Sequence, residues 1–339
     1  MSPAGPRHNR SETRWTTFRL FWIQGNKVIS IKPRIYIDGQ EGTTGLQIYD
    51  RLKPRDDIRL LLIDPDKRKD AEERRKLLNC ADLVILCLPD GAAREAVAMI
   101  RSDKTRVIDA STAHRTAKDW DYGFPELSKA HREKIITSKR VTNPGCHATG
   151  FAVTVYPLIR LGILPDDYPL TCFSLTGYSG GGKARIKEYE EEKTPAMFAP
   201  MLYKLDLQHK HLPEMAAVTG VKRSPVFCPV IDDYYNGMAT TIMLHNDLLH
   251  GKQTAETILT ALHAYYTGER FIKVTGAPEN GLLESNWGMG TNDLEISVNG
   301  NAKRTIVTAR FDNLGKGASG AAVQNMNLML GLPEETGLI

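Results

Sequence analysis

From Arg34 onward the chain is written in short apolar runs punctuated by glycine. Arg34–Ile37, Ile58–Ile63, Leu83–Leu88 and Arg106–Ile108 each read as a strand, and stretches of helical period lie between them. The first three are continuous enough to be buried on both faces of a parallel sheet. Strand and helix alternating in this way predict a doubly wound α/β domain. Beyond Cys146 the pattern changes: a helix is expected over Ala148–Leu161, strands near Leu170–Leu175, Val226–Val230 and Gly237–His245, a helix over Thr254–Tyr266, and strands near Leu294–Val298 and Arg304–Phe311. That succession predicts a second, α+β region with a mostly antiparallel sheet. Ala318–Leu330 reads as a closing helix, stopped by Gly331 and Pro333.

Residues before Lys32 follow neither pattern. Arg7, Arg10, Arg14, Arg19 and Lys27 stand against one acid, Glu12, with no sustained apolar period. A disordered N-terminal extension is expected over residues 1–31. An Arg-rich, acid-poor start also suits a transit peptide or an over-extended start of translation, but there is no long apolar stretch of the secretory kind.

Composition narrows the function. Of 339 residues, 44 are Lys or Arg and 40 are Asp or Glu, a net charge of +4 spread along the chain rather than gathered in a stripe. A nucleic-acid partner is therefore not expected, whereas a small anionic substrate is. No run approaches the ~20 apolar residues of a membrane-spanning helix, so no membrane partner is expected either. Cys80, Cys87, Cys146, Cys172 and Cys228 are an odd number without a C-x-x-C pair or a His/Cys cluster at zinc spacing. No metal site is expected, and a reducing, cytoplasmic location is.

The first strand runs into Asp38-Gly39-Gln-Glu-Gly42-Thr43-Thr44-Gly45, glycines at intervals of three where strand hands over to helix. Backbone can approach a pyrophosphate closely there, and the free N–H groups of the new helix point at its charge. The region 32–145 is thus expected to be a Rossmann-like nucleotide-binding domain, although the spacing is G-x-x-G-x-x-G rather than G-x-G-x-x-G. The second strand ends at Asp64, which would suit the ribose hydroxyl of NAD, while Lys67 and Arg68 could neutralise the 2′-phosphate of NADP. These residues alone leave the two cofactors open.

Asn143-Pro-Gly-Cys146 puts one cysteine directly after a Pro-Gly turn at the start of a helix. The positive helix end and its N–H donors are expected to lower the thiol's pKa and favour a nucleophilic thiolate. The other four cysteines lie in or beside apolar runs, as small hydrophobes do. A thiolate that forms and breaks a thiohemiacetal needs a proton shuttle. Among nine histidines, His209-Lys-His211-Leu-Pro-Glu214 is the most suggestive group, with Pro213 stiffening the segment and Glu214 placed to orient or charge-stabilise His211. Two further segments suit anions: Tyr178-Ser179-Gly180-Gly-Gly-Lys183, a glycine loop with a cation at its end, and Ser111-Thr-Ala-His-Arg115 with Tyr122-Gly-Phe-Pro-Glu126, just after the fourth strand.

Taken together, Asp38–Gly45, Tyr122–Glu126, Asn143–Cys146, His209–Glu214, Asp312-Asn313-Leu-Gly-Lys316-Gly317-Ala318 and Gln324-Asn-Met-Asn327 resemble the N-acetyl-gamma-glutamyl-phosphate reductase family, in its second, shorter type, within the semialdehyde dehydrogenase group. The resemblance runs from about residue 33 to the end. It implies NADPH-dependent reduction of N-acetyl-L-glutamyl 5-phosphate to the 5-semialdehyde, with release of inorganic phosphate, in arginine biosynthesis. Cys146 would be the acyl-accepting nucleophile and His211, with Glu214, the acid/base. Gly39, Gly42, Thr43, Thr44, Gly45, Lys67, Arg68, Pro89, Ser179, Gly180, Asn313 and Lys316 would hold NADP(H). Ser111, Arg115, Glu126, Asn143, Lys183 and His209 would meet the substrate. It further implies a homotetramer or homodimer, with residues 146–314 as catalytic and oligomerisation domain and the helix in 315–339 returning to complete the NADP-binding domain. Aspartate-semialdehyde dehydrogenase shares the cysteine, histidine and nucleotide fold but not the His-x-His-x-Pro-Glu word. A cofactor-binding regulatory protein would not need the thiol.

Overall fold

The structure, a computed structural model, describes residues 21–23, 28–30 and 32–339. The chain divides into two units, residues 1–32 and Pro33–Ile339. In the first, β1 (Phe21–Ile23) pairs antiparallel with β2 (Val28–Ser30). The rest of the extension expected over residues 1–31 lies outside the described residues.

The second unit opens with β3 (Arg34–Asp38), α1 (Thr43–Leu52), β4 (Arg59–Leu61), α2 (Ala71–Cys80), β5 (Leu83–Leu86), α3 (Asp90–Met99), β6 (Arg106–Asp109), β7 (Asp121–Tyr122), α4 (Lys129–Thr137) and β8 (Arg140–Thr142). The six strands form one parallel sheet in the order β4-β3-β5-β6-β8-β7. Successive side chains of a strand point to opposite faces, and here each face has its own cover. Ile35, Ile37, Leu83 and Ile85 pack with Ile48 and Leu52 of α1. Tyr36, Val84 and Leu86 pack instead with Leu78 of α2 and Ala93 and Ala96 of α3. The continuous apolar runs of β3 and β5 follow from this double burial. The run Ile58–Ile63 does not behave as expected: β4 is only three residues, half-buried or exposed, with Leu62 59% exposed. As the edge strand it has a neighbour on one side only, so its apolar residues are not sealed on both faces.

From Cys146 the order is α5 (Cys146–Arg160), β9 (Thr171–Gly177), α6 (Gly182–Glu191), β10 (Met201–Leu202), α7 (Leu212–Thr219), β11 (Val226–Asp232), β12 (Met238–His245), α8 (Ala255–Tyr266), β13 (Ile272–Thr275), β14 (Leu294–Gly300), β15 (Arg304–Phe311) and α9 (Gly320–Leu330). The sheet runs β10-β11-β9-β12-β15-β14-β13; four of its pairings are antiparallel, while β11/β9 and β13/β14 are parallel. Helix α5 is buried from His147 to Leu158 and packs in one core with Phe227, Ile242 and Phe311 of this sheet. The chain then leaves β15, passes through a π-helical turn, Gly315–Ser319, and enters α9. Ala322, Val323 and Met326 of α9 pack against β3 and β5. The closing helix therefore lies on the first sheet, and its predicted stop is real: Gly331 is left-handed, φ 65°.

Candidate active site

At the end of β3 the backbone turns sharply enough to demand glycine. Gly39 has φ 89°, where L side chains are rare, and a Cβ there would run into the Cys87 carbonyl. A Cβ on Gly45 would strike the Gly39 carbonyl. Helix α1 then starts behind Gly42 with no side-chain cap and no acid in its first turn. Its leading N–H groups are free for an outside acceptor, so a dinucleotide pyrophosphate fits this cradle. Pro89 caps α3 at the end of the neighbouring β5. Arg68 pairs with Glu41 of the glycine turn at 3.0 Å, which brings one of the two predicted cations beside it. Asp64 accepts the Asp66 N–H in the turn after β4.

Cys146 is the first residue of α5, and its side chain is half-buried. It lines a cavity of about 620 Å³ together with Thr44, Arg115, Asn143, Gly180, His209, His211 and Asn313. Chain segments far apart in sequence meet there because the π-helical turn comes back beneath the nucleophile: a Cβ on Gly317 would lie 2.9 Å from the Cys146 Cβ. Asn143 donates to the Ala318 carbonyl at 2.8 Å, tying the turn before α5 to the same segment.

The expected lowering of the Cys146 pKa is not found; the shift runs upward. Burial raises the Cys146 pKa, and Arg115, the His147 N–H and Lys210 oppose that only in part. The helix start is outweighed because burial disfavours the charged form. A thiol needs a base, and His211 lines the same cavity and stands against Gly145, the residue before Cys146: a Cβ on Gly145 would lie 2.5 Å from its Nε2. Burial holds the His211 pKa well below 6.5, with Arg115, His147, His209 and Lys210 adding to the effect, so its imidazole is neutral. Its Nδ1 is buried without a partner among the described residues. His209 is lowered to about 4 and His147 to about 3, burial again leading. The three rings pack 4.7 to 5.7 Å apart, His209 edge-to-face with both others and His147 tilted against His211.

Glu214 does not hold His211. Its Oε1 accepts from the Gly145 N–H and from the Tyr122 hydroxyl, both at 2.8 Å, and its Oε2 accepts from Arg115 at 3.0 Å. Glu214 thus orients the turn before Cys146 and one cation. Its place in the first turn of α7, behind the capping His211, turns it away from the imidazole.

Not every predicted residue reaches the cavity. Ser111 is buried against Asp109, with its hydroxyl donating at 2.8 Å. Glu126 and Lys316 are each 2% exposed and bonded to each other at 2.6 Å, with Gln324 accepting from the same ammonium, so neither faces substrate or cofactor space. Ser179 is buried beside Asn313, which donates to it at 3.0 Å. Lys183 is exposed outside the lining. Arg185 takes the place expected of it, because two residues of a helix turn the side chain by about 200°.

Reading the words alone also missed His147, Tyr203, Lys204, Gln208 and Lys210, all of which line the cavity. Lys210 sits within the word His209-Lys-His211 and was the most legible of them. Arg115, Arg185, Lys204 and Lys210 line the chamber and, among the described residues, no Asp or Glu does, although Arg115 pairs with Glu214 at 3.0 Å and Arg185 with Glu188 at 2.6 Å. Among the described residues no group of three or more His, Cys, Asp or Glu stands ready to hold a metal.

A glycine turn at the end of a parallel-sheet strand, a cysteine at a helix start and a cation-lined chamber on this pair of sheets are the features of a semialdehyde dehydrogenase. Residues 38–135 match the NAD binding domain of semialdehyde dehydrogenases and residues 146–313 their dimerisation domain. The fold is shared with aspartate semialdehyde dehydrogenase II of Vibrio cholerae, at a TM-score of 0.69 and 15% identity over 89% of this chain and 99% of that one. N-acetyl-gamma-glutamyl-phosphate reductase of Trichormus variabilis is 49% identical over 320 residues, 91% of this chain and 99% of its own, and N-acetyl-gamma-glutamyl-phosphate reductase 2 of Pseudomonas putida is 46% identical over 306 residues, 88% and 97%. The chain belongs to the N-acetyl-gamma-glutamyl-phosphate reductase family, whose enzymes use a nicotinamide cofactor.

Proposed function

We propose that this chain reduces N-acetyl-L-glutamyl 5-phosphate to N-acetyl-L-glutamate 5-semialdehyde with NADPH, releasing phosphate, in arginine biosynthesis. The observation that carries the reading is the chamber itself, lined by the Cys146 thiol, the neutral His211 imidazole and four cationic side chains, of which Arg115 and Arg185 are paired to Glu214 and Glu188. Such a lining suits a substrate bearing both a carboxylate and an acyl phosphate. His211 takes the Cys146 proton, Sγ attacks the acyl carbon, and the carbon–oxygen bond to phosphate breaks, leaving a thioester. NADPH held at the glycine turn would supply the hydride for reduction of the thioester. As the carbon–sulfur bond breaks and the aldehyde leaves, His211 returns the proton to Cys146 Sγ.

NADP(H) rather than NAD(H) is supported by Lys67 and Arg68 after β4, Arg68 lying against the glycine turn. Gly39, Gly42, Thr43, Thr44, Gly45, Pro89, Gly180 and Asn313 belong to the same cofactor proposal. Arg115, Asn143 and His209 belong to the substrate's, to which Arg185, Lys204 and Lys210 are added. We further propose domains at 32–145 with 315–339 and at 146–314, a homodimer or homotetramer, and a cytoplasmic location, where thiol chemistry is sustained.

The test is phosphate-dependent reduction of NADP with N-acetylglutamate semialdehyde, run beside Cys146→Ser. Turnover that needs phosphate and disappears in the variant is expected. Turnover of aspartate semialdehyde instead, a retained rate in the variant, or a preference for NAD would each overturn its part of the reading.

A further inference from the structure

His147 follows the nucleophile directly, is buried, and has no part in the chemistry above. Both of its ring nitrogens are engaged. Nδ1 bonds the Ser174 hydroxyl at 2.8 Å, which in turn bonds the Thr240 hydroxyl at 2.8 Å, and Nε2 bonds the Tyr203 hydroxyl at 2.7 Å. This ring stays neutral through the physiological range, so it serves as a fixed connector rather than a shuttle.

Tyr203 begins a segment that walls the chamber. Strand β10 pairs with β11 through Met201 and Leu202, and the Tyr203 N–H donates to the Pro229 carbonyl at 3.1 Å. Past that point the chain leaves the sheet. Lys204, Leu205, Asp206, Leu207 and Gln208 are all exposed, and the chain is next buried at His209. Lys204 and Leu207 have φ of 54° and 55°, a left-handed backbone that neither side chain favours. Among the described residues, the Tyr203 hydroxyl makes the one side-chain hydrogen bond that leaves residues 201–208 for the body of the protein. Yet this poorly anchored segment carries Lys204, and it delivers Lys210 to the cavity.

From this geometry we infer that Tyr203, held by His147, is a positioning residue that seats the 203–210 segment over the chamber and so sets affinity for the anionic substrate. The inference rests on the acyl-phosphate reading of the chamber. The ring of Tyr203 fills its place whether or not the hydroxyl is present, while the hydroxyl fixes the height at which the lysines stand. A helix start bearing the nucleophile is thereby wired to the wall that recognises the substrate.

Tyr203→Phe removes the bond and keeps the ring. In the full-length enzyme, with wild type measured in parallel, KM for the acyl phosphate is expected to rise about 2- to 12-fold, the worth of one neutral hydrogen bond. The effect on kcat should be the smaller one. Trypsin cleavage after Lys204, followed by mass spectrometry without substrate, should quicken several-fold, because a segment that opens more often is cut faster. An unchanged KM, or an unchanged cleavage rate at Lys204, overturns the inference. So does a loss of kcat at constant KM, which would make Tyr203 a group acting on the reacting atoms. The cleavage readout needs no turnover, and wild-type turnover of N-acetylglutamyl phosphate is scored separately, so failure here is distinct from failure of the substrate assignment.

Discussion

Gly145→Ala tests the proposed packing of Cys146, His211 and Arg115 with one methyl group. Gly145 caps α5 with φ −79° and ψ 145°, backbone that any residue adopts, so only space opposes the substitution. The added Cβ would lie 2.5 Å from His211 Nε2, 2.7 Å from His211 Cε1, and against Arg115 Nη1. Ordinary contacts are about 3.5–4.0 Å, so something must move by about 1 Å. Arg115 is held by the Asn143 carbonyl at 3.1 Å, Glu214 at 3.0 Å and the Ala110 carbonyl at 3.1 Å. His211 is wedged against His147 and His209. Displacing a catalytic group by about 1 Å costs on the order of 10²-fold in rate, and overpacking costs about 1–3 kcal/mol in stability. The expected outcome is a kcat down about 100-fold, with cofactor binding kept and a folded protein by thermal melting. Gly276→Ala, whose Cβ would meet only Leu259 at 3.5 Å, is the matched control. A kcat within threefold of wild type in Gly145→Ala would refute the claim that His211 and Arg115 must stand where they do.

Three further outcomes are expected. His211→Asn should lower kcat by roughly 10²- to 10⁴-fold, and His209→Asn should do less, mainly through KM; steady-state kinetics in which the His209 variant loses more kcat would reverse the roles. Lys316→Met strands the Glu126 carboxylate in the interior and should cost about 3–5 kcal/mol in urea unfolding, while Lys316→Met with Glu126→Leu should recover most of it; no recovery would show that the ion pair is not what the site depends on. His147, His209 and His211 are neutral when folded and take up protons near pH 6.5 only when unfolded, so their contribution is present above 6.5 and is lost as pH falls below it. For His209 alone, a fall from 6.5 to about 4 is on the order of 3 kcal/mol. Urea unfolding at pH 7 and pH 4.5 measures this, and equal stability at the two would refute it.

The longer strands, the two sheets and the glycine turn were legible in the sequence because each rests on local rules, whereas β7, β8, β10 and β13, two to four residues each, were not. Continuous apolar runs in β3 and β5 declare a sheet with two covered faces, Gly39 declares a turn that only glycine makes, and Cys146 after Pro-Gly declares a helix start. Ile58–Ile63 reads like its neighbours, and only its place at the sheet edge leaves it half in water. The chemistry of the chamber was less legible, because it depends on side-chain direction across long sequence separations. Nothing in the words Pro125-Glu126 and Gly315-Lys316 says that these charges bury each other 190 residues apart. Glu214 lies three residues from His211 yet turns to Gly145, Tyr122 and Arg115, since the first turn of α7 aims it there. Desolvation, which no residue carries in its own name, reverses the expected pKa of Cys146. Local sequence determined which elements form and where their turns fall; tertiary packing alone decided which charges face solvent, each other or the substrate, because burial and distance set their energies.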